Sequence, residues 1–253
     1  MRAVAPFSFV VLFFLIPGIP ASTPSAGETP DSKAPGAKQI VSKLEARYHS
    51  AHTLEATFLE RYAESGQVVR SEAGTAYFRR PGKMRWEYES PEKNLFLVDG
   101  KLAWFYVPAD HTVTRVPAKQ STDWRTPLAL LAGEMKLSRI CAKVELATAE
   151  KPEAPDNAVL YCPLRGEEPN ANSARGQSKQ SQSEGTGESV YLEVAPSTGD
   201  LARVLARQGA GVEIEFRFAS WRFDPPVNDA FFRFEVPPGV AIVNGESSAE
   251  SKP

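Results

Sequence analysis

The chain has 253 residues, 42% of them apolar and 10% aromatic, with a formal net charge of -2 and a pI of about 6.0. That length is enough for one domain with a full core. The near-neutral balance argues against a nucleic-acid partner, which would select a basic face. Abundant Gly, Pro and aromatic residues favour many short strands over a helical bundle.

The chain opens with MRAVAPFSFVVLFFLIPGIPA: one arginine, an apolar run, a Pro/Gly break and small residues. This layout predicts a signal peptide over residues 1–26, cleaved after Ala21 or Ala26. The apolar stretch Phe7 to Ile16 is too short to span a bilayer comfortably, and no cysteine follows it to carry a lipid anchor. Residues 27–38, rich in Ser, Thr, Pro, Ala and Gly, read as a flexible linker. A folded domain is expected over 39–243, with a disordered tail at 244–253.

Ile40, Val41, Leu44 and Tyr48 recur at helical spacing and predict an N-terminal helix. From Leu54 the period changes to two. TLEATFLERYAE, VVRSEAGTAYFRR, MRWEY, NLFLVDG, KLAWFYVP and TVTRVP read as six sequential antiparallel strands. Ser65-Gly66 turns the first pair, and Asp99-Gly100 is a strong hairpin signal. TPLALLAGE (126–134) is a short, almost wholly apolar helix, with Thr126 able to cap, Pro127 at its first position and Gly133 at its end. A helix this short is not stable alone and must lie on an apolar surface.

ICAKVELA and NAVLYCP are read as two strands of a hairpin centred near residues 151 and 152. That register sets Cys141 opposite Cys162, as a structural disulfide or as two buried thiols. The polar stretch 165–189 lacks the large apolar residues that would offset its ordering entropy and is expected to be disordered. VYLEVAP, LARVLARQ, VEIEFRFASWRF and FRFEV then resume the strands. The predicted fold is mainly β with short helices: a half-open antiparallel β-barrel, closed by the N-terminal helix and the apolar one.

Strand alternation sorts the arginines among the aromatics. Arg79 and Arg85 fall on the face opposite Phe78 and Trp86, toward solvent near Glu87 or Glu89. Arg80 shares the Phe78 face. It either packs its stem on an aromatic at the sheet edge or donates to the free carbonyls at the end of helix 126–133. The histidines, His49, His52 and His111, are scattered. No G-x-S-x-G, H-E-x-x-H or Gly-rich phosphate loop occurs. The chain therefore reads as a non-enzyme without a metal or cofactor.

Gly74, Arg79, Arg80, Pro81, Met84 and Trp86, followed by Leu95, Asp99, Gly100, Trp104, Tyr106 and Pro108, stand in the order and spacing of a known pattern. So does the ending Phe232, Phe234, Pro237, Pro238, Gly239 and Val240. The run resembles the LolA family of periplasmic lipoprotein carriers over about residues 39–243, apart from the 165–189 insertion. The resemblance implies a hydrophobic cavity for acyl chains under a lid at 126–133. Phe58, Phe78, Met84, Trp86, Leu95, Leu97, Trp104 and Tyr106 would form its floor, and Leu128, Leu130 and Leu131 its lid. Arg80 would latch the lid, and Met84 would sit near the mouth. It further implies a periplasmic monomer, with acylated lipoproteins, an inner-membrane lipoprotein-releasing ABC transporter and an outer-membrane acceptor lipoprotein as partners. A carrier of another lipid or glycolipid, or an envelope sensor, would share the fold.

Overall fold

The computed structural model describes residues 35–118, 128, 131–133, 136–165, 189–208 and 211–245. Residues 1–34, which hold the expected signal peptide and most of the expected linker, Leu130 and most other residues of 119–135, residues 166–188 and the chain end from 246 lie outside the described residues. Pro35–Pro253 forms one compact unit.

A helix, α1 (Ala37–His49), precedes the sheet. It starts two residues before the expected domain boundary, on Gly36. Ile40, Leu44 and Tyr48 form its buried stripe. Next come β1 (Thr53–Glu64), β2 (Gln67–Arg79), β3 (Lys83–Ser90), β4 (Leu95–Val98), β5 (Leu102–Val107) and β6 (Thr112–Pro117). All five consecutive pairs are antiparallel, so the expected six-strand meander is present.

The second half holds α2 (Leu137–Ile140), β7 (Glu145–Leu146), β8 (Ala158–Pro163), β9 (Ser189–Val194), β10 (Leu201–Arg207), β11 (Val212–Phe223) and β12 (Ala241–Asn244). Together the strands make one open, curved sheet in the order β12-β6-β5-β4-β3-β2-β1-β11-β10-β9-β8-β7. Its fold is mainly β, as expected. The twelve-residue β11 pairs with β1 at ten positions and joins the two halves.

Two local expectations change. ICAKVELA is not one strand. It gives the short helix α2, then a two-residue strand whose register is Glu145↔Tyr161 and Leu146↔Leu160. Cys141 bridges to Leu164 in the ladder. Its disulfide to Cys162 therefore runs diagonally rather than between directly opposed residues. FRFEV is not a strand either. Asp229–Phe232 forms a 3-10 turn, and the chain then crosses the outer face of β4 to β6 before β12 adds parallel to β6. Phe234, Val236 and Val240 are needed as a cover there, which a ladder position would not allow.

Of the polar stretch 165–189, only the two end residues are described. Arg165 N–H donates to Ile140 O, and Ser189 already opens β9.

Candidate functional site

The inner face of the sheet carries the main core. On β1 to β3 the alternation places Leu54, Ala56 and Phe58, then Ala76 and Phe78, then Met84, Trp86 and Tyr88 on this side, all buried. Trp86 is the hub. Its ring lies 4.8 Å from Phe58, 5.6 Å from Phe78, 5.2 Å from Phe216 and 6.1 Å from Phe218, centroid to centroid. Offset and edge-on contacts of this kind are the favoured aromatic geometries. Of the segment expected as a lid, Leu128 and Leu131 are buried in the inner-face core, Ala132 is buried too, and Leu131 N–H donates to Leu128 O. Between Leu128, Leu131 and the strands carrying Leu192 and Val204 remains an apolar cavity of about 10 Å³. That is room for about one water molecule. That space is too small for an alkyl chain.

Four of the predicted floor residues lie elsewhere. Leu95, Leu97, Trp104 and Tyr106 sit on the outer face, in a separate small core with Val113 under Phe234, Val236 and Val240. The cause is strand parity. Trp86 pairs with Phe96, and Phe96 with Phe105, so Phe96, Val98, Ala103 and Phe105 face inward instead. Carrying the Trp86 parity through the Pro91 and Asp99-Gly100 turns would have found them. Phe216 and Phe218 were also missed. Their signal is the alternation in VEIEFRFASW.

Arg80 does face inward, as its parity predicts. Its Nη2 donates to Tyr48 O at 2.7 Å, in the last turn of α1. The described acceptor is thus the end of α1 rather than of the lid, because that helix also presents unpaired carbonyls and packs on the same face. Arg80 also lies against Gly133, at the end of the expected lid. A Cβ on Gly133, which has φ +75°, would stand 2.3 Å from Arg80 Nε. That Nε is buried without a hydrogen-bond partner among the described residues.

Arg79 and Arg85 are not bare solvent charges. Arg79 pairs with Asp229 at 3.2 Å and donates to Val227 O. Arg85 pairs with Glu87 at 2.7 Å, donates to Phe231 O and stacks over the Phe231 ring. Both hold the returning C-terminal segment on the outer face.

Glu60 is a buried polar group on the inner face. It is 1% exposed, and its carboxylate accepts the Tyr88 hydroxyl at 2.7 Å. Among the described residues no cluster of His, Cys, Asp and Glu could hold a metal, and no helix is long and apolar enough to cross a membrane.

On the outer face Glu193 and Arg203 are buried together at 3.0 Å. Burial alone would raise the Glu193 pKa. Hydrogen bonds from Asn157, from the backbone N–H groups of Glu153 and Ala154, and from Arg203 outweigh it and hold that pKa below the ordinary value. Asp229 is lowered by the Lys83 ammonium, and Asp224 by the backbone N–H groups of His52 and Thr53. Each of these carboxyls binds a proton less readily folded than unfolded. Stability is then fully present above the ordinary carboxylate range near ~4 and is lost as pH falls through the folded values. The urea midpoint is expected to be flat from about pH 6 to 7 and to fall below about pH 4. A midpoint that rose on acidification would contradict this assignment.

Residues 49–153 match the family model "Outer membrane lipoprotein carrier protein LolA". An outer-membrane lipoprotein carrier protein of Methylococcus capsulatus is 38% identical over 99 residues, covering 38% of this chain and 46% of the relative. One from Dechloromonas aromatica is 26% identical over 206 residues, covering 80% and 86%. The chain spans about half the length of several of the curated relatives it matches. Among solved structures, an uncharacterized conserved protein from Thermus thermophilus superposes with a TM-score of 0.47 at 14% identity, over 83% of this chain and 99% of that one. The matched segment contains the ordered motif from Gly74 to Pro108, and over it the chain is similar to the LolA family of outer-membrane lipoprotein carrier proteins.

Proposed function

We propose that the protein is a periplasmic carrier that holds the acyl chains of lipoproteins on the inner face of its sheet and moves them from the inner to the outer membrane. The observation that carries this reading is the aromatic floor around Trp86, closed by a lid segment too short to be stable without it. In this reading no bond is made or broken. The partners are a releasing ABC transporter in the inner membrane and an acceptor in the outer one.

Burying a methylene contributes about 0.8 kcal/mol, so one ~16-carbon chain gains on the order of 10 kcal/mol. A carrier that gripped two or three chains at that strength would not release them. Lid closure must therefore compete with occupancy, and the closed state, with its ~10 Å³ cavity, is the competitor. Arg80, between the end of α1 and Gly133, is where the two states are balanced.

Two experiments test this. Mass spectrometry of material co-purifying natively with the mature protein is expected to find triacylated lipoproteins. Free lipid alone would move the function to lipid carriage. An empty protein that also takes up no lipoprotein from membranes would favour a sensor. Arg80→Leu, which removes a charged hydrogen bond, is expected to accept lipoprotein and release it to outer membranes about tenfold more slowly. Transfer at the wild-type rate would refute the latch.

A further inference from the structure

Buried polar groups in folded proteins nearly always have partners. At the centre of the aromatic floor one does not. Trp86 is fully buried, and its indole Nε1–H has no hydrogen-bond partner among the described residues. The rings of Phe58 and Phe216 meet it edge-on, and that of Phe218 at a tilt, offering only weak π acceptors. The buried carboxylate of the same face, Glu60, takes the Tyr88 hydroxyl instead. A phenylalanine at 86 would supply apolar contact without stranding a donor.

We propose that the Trp86 indole N–H is a recognition donor for the carbonyl oxygen of an acyl ester or amide, so that the floor reads the linkage of its ligand as well as its hydrocarbon. This rests on the acyl-binding reading above and deepens it. An acyl chain is apolar along its length, and its strong acceptor is the carbonyl at its head. Drawing that carbonyl into an apolar cavity is unfavourable unless a donor meets it. The indole N–H is already stripped of water in the closed protein, so it loses no further hydration when a carbonyl arrives. An alkyl ether of the same length brings a much weaker acceptor and leaves the N–H effectively unpaired. The donor thus discriminates acylated from alkylated ligands, which apolar rings cannot do.

The test compares two probes of equal chain length, dipalmitoylglycerol and its dihexadecyl ether counterpart, presented in mixed micelles to the mature protein. Wild type is expected to bind the ester about fivefold more tightly. In Trp86→Phe, which keeps an aromatic ring, the preference should vanish. In proton–nitrogen correlation spectra the Trp86 indole peak should move downfield with the ester and not with the ether. Its assignment follows from its loss in Trp86→Phe. Should that variant fail to fold, the Phe variants of the other three tryptophans assign the wild-type peak by elimination. Equal binding of both probes by wild type, a preference surviving in Trp86→Phe, or an indole peak blind to the ester would each overturn the donor role while leaving acyl binding intact. Failure of wild type to bind either probe would remove the acyl-binding reading itself, and this inference with it.

Discussion

Arg203→Ala is expected to lower the free energy of unfolding by about 3–5 kcal/mol, the cost of stranding buried partners of a removed charge. Arg203 is 6% exposed on the outer face of β10. It donates to Glu193 and Glu150 at 3.0 Å each, to Glu215 at 3.4 Å and to the Lys151 carbonyl at 3.0 Å. Without it, three carboxylates face one another with far less compensation. Glu193 would keep its bonds from the backbone of Glu153 and Ala154 and from Asn157, but not its cation. Those same bonds fasten the connection between β7 and β8 to the sheet, so the damage should extend to that loop. Denaturant unfolding, with hydrogen exchange of residues 150–157, reads both effects. The paired replacement of Arg203 and Glu193 by Met is expected to lose less than the single change, because a matched apolar pair strands less charge. A single variant within about 1 kcal/mol of wild type would show that the network is solvated in solution and not a true buried cluster.

Gly74→Ala is expected to cost about 3 kcal/mol or more. The glycine lies in β2 between Phe58 of β1 and Tyr88 of β3. A Cβ there would stand 1.9 Å from the Glu87 carbonyl oxygen and 3.0 Å from Tyr88 Cα. Those are backbone atoms and cannot rotate away, so the two strands must part at the irregularity between Ala73 and Gly74. Overpacking of this kind typically costs ~1–3 kcal/mol. The rings of Phe58 and Tyr88 also meet at 5.1 Å over the space that the missing side chain leaves. Prising them apart adds about 0.5–1.5 kcal/mol and disturbs the Tyr88 hydroxyl bond to Glu60. Thermal unfolding checks the stability loss, and uptake of lipoprotein checks the floor. A variant of wild-type stability would mean that the strands have slack here which the close approach denies.

Gly74 also illustrates what could be read early. Its place in the motif was legible without a structure, whereas its physical reason was not. The reason is a close approach to the backbone of Glu87, thirteen residues on and on the neighbouring strand, and only pairing reveals it. The same division holds along the chain. Local chemistry was enough for the helix at Ile40 to Tyr48, for the Asp99-Gly100 hairpin and for the meander, because period and turn residues act over a few neighbours. Parity also placed Arg80 and Trp86 on one face correctly.

What failed needed information from far away. Leu95, Leu97, Trp104 and Tyr106 alternate as well as any floor residue, but which side of a strand is inside depends on register carried through two turns and on what covers each face. The cover of the outer face is the C-terminal segment, more than a hundred residues downstream. Cys141 and Cys162 could be proposed as partners from spacing, yet their diagonal relation depended on α2 shortening the first strand. Glu87 was named beside Arg85 from strand alternation, whereas the carbonyls of Val227 and Phe231 that accept from Arg79 and Arg85, and the carboxylates around Arg203, come from distant parts of the chain. The sequence by itself determined the first helix, the six-strand meander and the likeness to one family. Tertiary structure alone decided which aromatics share the Trp86 face and which buried donor has no partner among the described residues, because burial and hydrogen bonding are properties of neighbours in space.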